Sequence, residues 1–88
     1  MRLLTFEDPE RRPRVGALTA DDCIVDLNSA CALYLRDIER ENAYHRLADA
    51  LVPANMLELF EGGDTSLEAA RKALAYAIDV GSDAAGTR

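Results

Sequence analysis

The chain has few basic side chains for its length, and this shortage excludes one large class of function. Its 88 residues carry 16 acidic against 10 basic side chains, which gives a net charge of −6 and a pI of about 4.6. A protein that binds nucleic acid needs a basic surface. Because the arginines of this acidic chain are scattered along it, the sequence predicts no nucleic-acid partner.

Long apolar runs are also missing. No stretch approaches the roughly 20 consecutive apolar residues that a membrane span requires. The mostly apolar start, Met1 to Phe6, is followed by Glu7, Asp8 and Glu10 instead of the continuous apolar segment of a targeting signal. We therefore expect a cytoplasmic protein that does not contact a membrane.

Cysteine and histidine, the residues most often used for metal sites and nucleophilic catalysis, are nearly absent. Cys23 and Cys31 are the two cysteines and His45 is the one histidine. Without a CxxC motif or a secretory context, the cysteines are predicted to be reduced, packed thiols. A zinc site would need a fourth ligand and closely spaced ligand pairs. His45 has no evident nucleophile or orienting partner, so we predict no catalytic or metal-binding residue in this chain.

Two further motifs also have structural interpretations. Gly62 and Gly63 lack the lysine and spacing of a phosphate-binding loop, and they predict a helix end. Ser66 follows a Gly-Gly-Asp-Thr run that superficially resembles an acyl carrier protein. The carrier motif places its modified serine directly after the aspartate, whereas Thr65 intervenes here, so Ser66 is interpreted as a helix cap.

What is present predicts one small α+β domain. A hydrophobic fraction of 49% is globular, and 88 residues bury only roughly 60 to 65% of their unfolded surface. Short apolar and β-favouring runs predict an antiparallel meander. Its turn at Asp21 and Asp22 does not have the ligand spacing of a calcium loop. The three predicted strands are Arg2–Glu7, Arg14–Leu18 and Cys23–Asp26.

About four short helices follow, because apolar residues then recur every three or four positions. Asp26, Asn28 and Ser29 offer acceptors for the start of the first helix, and Thr65 with Glu68 matches a capping box for the last. The predicted helices are Asn28–Glu41, Ala43–Leu51, Pro53–Glu61 and an alanine-rich helix containing Leu67, Ala70, Leu74, Ala77 and Ile78. The rings predicted to pack in the core or an interface are Phe6, Tyr34, Tyr44, Phe60 and Tyr76. Residues 81–88 are predicted to be a flexible tail or the start of a linker.

The order of these segments resembles the N-terminal domain of bacterial fumarylacetoacetate hydrolase family proteins. The resemblance covers nearly the whole chain, and it rests on the order and spacing of the motifs. These are MRLLTF at residues 1–6, RVGAL at 14–18, IVDL at 24–27, LVPANMLELFEGG at 51–63 and the alanine-rich last helix.

The resemblance implies that residues 1–80 are an accessory domain whose full-length relatives are metal-dependent hydrolases of 1,3-dicarbonyl or 2-oxo acids. In that family a larger β-rich catalytic domain holds magnesium or manganese through a Glu-x-Glu arrangement, with a catalytic histidine. Those residues are expected after Gly81. Glu39-Arg40-Glu41 has the letters of the triplet, but it precedes that region and receives no metal role.

Two hypotheses for function therefore stand at this point. In the first, the chain packs on a catalytic domain of the same or a companion protein and aids dimerisation. In the second, it is a stand-alone acidic homo-oligomeric interaction protein with no enzymatic role.

Overall fold

A computed structural model describes residues 1–80 as a three-stranded antiparallel sheet followed by four helices, which confirms the predicted α+β fold. The predicted tail at 81–88 lies outside the described residues. The strands are β1 (Arg2–Glu7), β2 (Pro13–Leu18) and β3 (Ile24–Asp26), and the helices are α1 (Leu27–Asp37), α2 (Tyr44–Leu51), α3 (Met56–Glu61) and α4 (Gly63–Val80). Within the described range, no helix combines the length and apolar character needed to cross a membrane.

The sheet is a simple meander in the order β1-β2-β3. Leu4 pairs with Gly16, and Gly16 pairs with Asp26 on the other side. The β2–β3 turn is closed by a 2.8 Å hydrogen bond from the Thr19 amide to the Cys23 carbonyl. Asp22 adopts a φ of 60°, as the sequence predicted for an aspartate in this turn.

The β1–β2 connection is organised by one buried aspartate. The Asp8 carboxylate accepts hydrogen bonds from the Glu10 and Arg12 amides, both at 2.9 Å, and from Arg12 Nε at 3.0 Å. Arg11 between them has a φ of 63°. The hydrogen bonds, led by that of the Arg12 amide, lower the pKa of Asp8 below its ordinary value because they favour the charged carboxylate.

Helices α1 and α4 pack together through small side chains. Ala70, Ala73 and Ala77 recur at helical spacing and are fully or almost fully buried, as is Ala30 of α1. Side chains of this size allow two helices to approach closely. The remaining buried apolar residues belong to the same core, and they are Val15, Ala17, Val25, Leu27, Cys31, Ala32, Leu35, Ala48, Val52 and Leu59.

Two predicted helix boundaries are wrong for local reasons. Helix α1 ends at Asp37 rather than Glu41, because Arg40 takes a left-handed φ of 56° and the Glu41 amide bonds back to the Leu35 carbonyl. Helix α3 begins at Met56 rather than Pro53, because the Asn55 side chain caps it by accepting from the Glu58 amide.

The predicted capping box at the start of α4 is also wrong. The helix already begins at Gly63, whose φ is +63°, so Thr65 and Ser66 lie inside its first turn. Ser66 is buried, and its Cβ would lie 2.7 Å from a Cβ added at Gly62. Gly62 therefore allows the end of α3 to pack closely on α4.

Three apolar side chains that periodicity placed in the core are instead exposed. Ile38 is 52%, Phe60 53% and Ile78 62% exposed. Ile38 directly follows α1, and Phe60 lies in the last turn of α3. Phe60 therefore does not pack in the core, and its packing in an interface stays a prediction. Tyr34 and Tyr76 pack edge to face with ring centroids 5.8 Å apart.

The sheet face that points away from the core carries an apolar patch. Side chains alternate along a strand, so Val15 and Ala17 point into the core while Gly16 points the opposite way. A Cβ added at Gly16 would meet Ile24 and the Phe6 ring, which places these two side chains on that opposite face. The register places Arg2, Arg14 and Asp26 on the same face. We call the apolar patch on this face the outer sheet face, and it consists of Leu4, Phe6, Gly16, Leu18 and Ile24.

We predict that Gly16→Ala destabilises the protein. The added Cβ would lie 2.6 Å from Ile24 Cγ2 and 3.0 Å from two ring carbons of Phe6, and overpacking of this kind costs about 1–3 kcal/mol. Urea unfolding followed by circular dichroism measures the loss. In an Ile24→Ala background the same substitution should cost less, because the nearest clashing methyl group is gone. An equal cost in both backgrounds would contradict the predicted contact.

Candidate functional site

A polar concave surface lies where the sheet meets the first helices, and we call it the polar groove. Its volume is about 520 Å³. The groove combines arginines with carboxylates and a histidine, the residue types from which binding and acid–base sites are built. Its lining consists of Asp8, Pro9, Glu10, Arg12, Arg14, Asp26, Asn28, Ser29, Ala32, Leu33, Arg36, Tyr44 and His45.

A buried ion pair forms the centre of the polar groove. Arg14 Nε lies 2.6 Å from Asp26 Oδ2, and Arg14 Nη2 lies 3.2 Å from Asp26 Oδ1. Asp26 is 2% exposed, so the guanidinium takes the place of water as a hydrogen-bond donor to its carboxylate. The hydrogen bond to Asp26 raises the pKa of Arg14 above its ordinary value. Asp26 also caps α1 by accepting from the Ser29 amide at 3.2 Å, as the sequence predicted.

Asn28 extends this network to the second helix. Its Oδ1 accepts from Arg14 Nη2 at 3.0 Å, while its Nδ2 donates to Asp49 Oδ1 at 3.0 Å and to the Val52 carbonyl at 2.9 Å. One connected set of side chains therefore joins β2, β3, α1 and the end of α2. We call Arg14, Asp26, Asn28 and Asp49 the junction network.

The other two arginines of the groove are also engaged with carboxylates. Arg12 Nε lies 3.0 Å from Asp8, and Arg36 Nε lies 2.8 Å from Asp37. Pairing with Asp37 raises the pKa of Arg36. The Arg36 hydrogen bond, followed by one donated by Tyr76 at 2.8 Å, lowers the pKa of Asp37. Because carboxylates of the same chain pair with all three arginines, the groove does not present an unpaired guanidinium to an anionic ligand.

His45 lies at the polar groove beside an aromatic ring. Its imidazole centroid is 4.6 Å from that of Tyr44, with the rings tilted by 45°. A histidine acting as a general base is normally oriented by a carboxylate or carbonyl. Within residues 1–80, no side-chain hydrogen bond orients His45, and the residue is exposed. Its placement is that of a surface histidine.

The structure does not bring the two cysteines together with His45. Cys23 is in the β2–β3 turn, where its Sγ lies 3.8 Å from the Asp21 carbonyl. Cys31 is buried in α1, and burial raises the pKa of its thiol to about 11. Over the described part of the chain, no three His, Cys, Asp or Glu side chains are close enough to share a metal ion.

The remaining candidates of the sequence have separate positions. Asp21 and Asp22 are exposed in their turn, and Ser66 is buried in the first turn of α4. Glu39 and Glu41 follow the end of α1 and line a second groove, away from the polar one. None of these residues belongs to the junction network.

Sequence reasoning found Asp26 as a cap but missed its pairing with Arg14. The two residues are twelve positions apart and belong to neighbouring strands in the predicted meander. Antiparallel register brings them close, since Gly16 faces Asp26 and Arg14 lies two residues away on the same face of β2. The sequence did contain a signal for this pair, because the predicted meander places a basic and an acidic residue on the same face of adjacent strands.

We predict that Arg14→Met destabilises the protein by about 3 kcal/mol, because it leaves the buried Asp26 carboxylate without its partner. Chemical denaturation measures the loss. The double variant Arg14→Met/Asp26→Asn should recover part of it, since asparagine can still cap α1 and no buried charge remains. Arg2→Met, an exposed arginine change in β1, is the control and should cost less than about 0.5 kcal/mol. A double variant that is less stable than Arg14→Met would contradict this account.

Comparisons of the chain with protein-family models, with curated proteins and with solved structures find no match.

Proposed function

We propose that this chain is a non-catalytic accessory domain that packs on a catalytic domain through its outer sheet face. The proposal takes the partner from the resemblance to the N-terminal domain of fumarylacetoacetate hydrolase family enzymes. The observation that carries it is the apolar patch on the sheet face that points away from the core.

An antiparallel sheet on a protein surface normally alternates between an apolar inner face and a polar outer face. Here the outer sheet face has four large apolar side chains. Leu4, Phe6, Leu18 and Ile24 are partly exposed, and none of them is among the side chains that pack against the buried core. An apolar patch of this kind on a small domain is typical of a surface that another protein covers.

The shape of the patch also suits a protein partner. Gly16 at its centre has no side chain, and Phe6 and Ile24 lie directly over it, so the surface is continuous across all three strands. The apolar strands of a β-rich catalytic domain could pack on it as two sheets pack face to face.

The two domains of the proposed assembly have different roles, one structural and one catalytic. The charged groups of the polar groove are paired with one another, so they support the fold of this domain rather than a reaction. In the proposed assembly the divalent metal, magnesium or manganese, and the residues that hold it belong to the catalytic domain. The accessory domain would contribute to dimer assembly or to the shape of the active-site entrance.

The test mixes the 88-residue chain with the catalytic domain of a family member from which its own N-terminal domain has been removed. We expect binding by calorimetry, together with an increase in dimer content or hydrolase activity. Leu18→Lys and Ile24→Lys should weaken binding at least tenfold, because each places a charge in the contact. Leu57→Lys, at a side chain on α3 that is 69% exposed, is the control and should leave binding unchanged.

No binding, together with no effect on dimerisation or activity, would overturn the proposal. Light scattering on the chain alone tests the competing hypothesis. A concentration-dependent homo-oligomer that Ile24→Lys dissociates would mean that a second copy of this chain, rather than a catalytic domain, covers the outer sheet face.

A further inference from the structure

A second concave surface lies between α1, α2 and α4, and nothing in the proposed function uses it. Its volume is about 550 Å³, and we call it the helix groove. Its lining consists of Cys31, Tyr34, Leu35, Glu39, Glu41, Leu47, Leu51, Thr65, Glu68, Ala69 and Lys72.

The floor of the helix groove is apolar. Cys31 and Leu35 are buried core residues, 2% and 7% exposed, and Leu47, Leu51 and Ala69 pack against that core while remaining partly exposed. The thiol of Cys31 stays uncharged at neutral pH, because burial raises its pKa to about 11. A ligand on this floor would gain from presenting apolar side chains.

The rim of the groove is predominantly acidic. Glu39, Glu41 and Glu68 line it together with a single basic residue, Lys72. Glu39 and Glu41 belong to the loop that follows α1, and Glu68 lies across the groove on α4. All three glutamates are exposed. Glu39 accepts from the Tyr34 hydroxyl at 3.3 Å, and Glu68 Oε2 lies 3.6 Å from Arg71 Nη1. Because both contacts lie at the surface, the carboxylates stay accessible to a bound partner. The net charge of −6 of the whole chain adds a field that attracts basic partners.

An apolar floor with charged edges is the arrangement that recognises an amphipathic helix. In this mode, side chains at positions i, i+3 or i+4 and i+7 of the ligand enter the groove, and the flanking residues meet its rim. A small-molecule site instead needs a few polar groups that converge on the ligand from within the pocket. Here the ionisable groups lie along the edges, which favours a peptide segment.

We propose that the helix groove binds a basic amphipathic helix of a partner protein. Apolar side chains of that helix contact Leu47, Leu51 and Ala69, and its lysines or arginines pair with Glu41 and Glu68. The inference rests on charge complementarity and on the apolar floor. It is independent of the outer sheet face, which lies on a different part of the fold.

The experiment uses two synthetic helical peptides with the full chain. One has leucine at i, i+4 and i+7 with lysine at the flanking positions, and the other replaces every lysine with glutamate. Amide chemical shifts from ¹⁵N-labelled protein report the binding site, and titration gives the affinity. We expect the lysine peptide to shift the amides of Cys31, Leu47 and Ala69, and the glutamate peptide to leave them unmoved.

A charge-matched pair of variants separates recognition by the groove from general attraction to an acidic protein. Glu41→Lys/Glu68→Lys reverses the rim and should weaken binding of the lysine peptide about tenfold or more, as expected for several exposed ion pairs acting together. Glu58→Lys/Glu61→Lys makes the same charge change on α3, and should reduce binding less than threefold. Circular dichroism confirms that both variants retain the fold.

Four results would overturn the proposal. These are the absence of saturable shifts with the lysine peptide, equal binding of the glutamate peptide, shifts that map outside the helix groove, and an equal loss of affinity in the two double variants.

Discussion

The fold depends on the ion pair between Arg14 and Asp26. A carboxylate that is 2% exposed is costly unless a cation and hydrogen-bond donors surround it, and Asp26 has both. Its oxygens receive the Arg14 guanidinium and the amide of Ser29 at the start of α1. Asp26 thus both ends the sheet and caps the first helix, so the position of the sheet determines where α1 begins.

The small size of the domain makes this constraint important. A chain of this length has a limited core, and the buried residues of α4 are one serine and three alanines. Specific polar contacts therefore define how the layers meet, and Asn28 extends them to Val52 at the end of α2. The small core also explains why apolar side chains stay partly exposed on the outer sheet face and in the helix groove. The proposed partners would cover these side chains.

Much of the architecture could be predicted from the sequence, because its signals are local. Alternation, the aspartate-rich turn and helical periodicity predict the order of three strands and four helices, and the Asp26 cap is a short-range pattern. The errors have a tertiary origin. Ile38 and Phe60 lie at apolar positions of their predicted helices but are 52% and 53% exposed. The capping box at Thr65 fails because Gly63 already starts α4.

The candidate site was harder to predict for the same reason. Asp26 is recognisable as a cap from its neighbours, whereas its partnership with Arg14 depends on strand register and its connection to Asp49 depends on how α2 returns to the sheet. The polar groove forms only when β2, α1 and α2 pack together in the tertiary structure. Sequence patterns give the residue types of such a site, but not which of them meet.

Native-state hydrogen exchange tests most directly whether the Arg14–Asp26 pair joins the two layers. In Arg14→Met, the account predicts that the Ser29 amide and the amides of β2 and β3 lose protection together, relative to the unchanged protein and to Arg2→Met. Loss of protection at Ser29 alone, with the strand amides as protected as before, would contradict it, because the sheet would then be independent of the helix start.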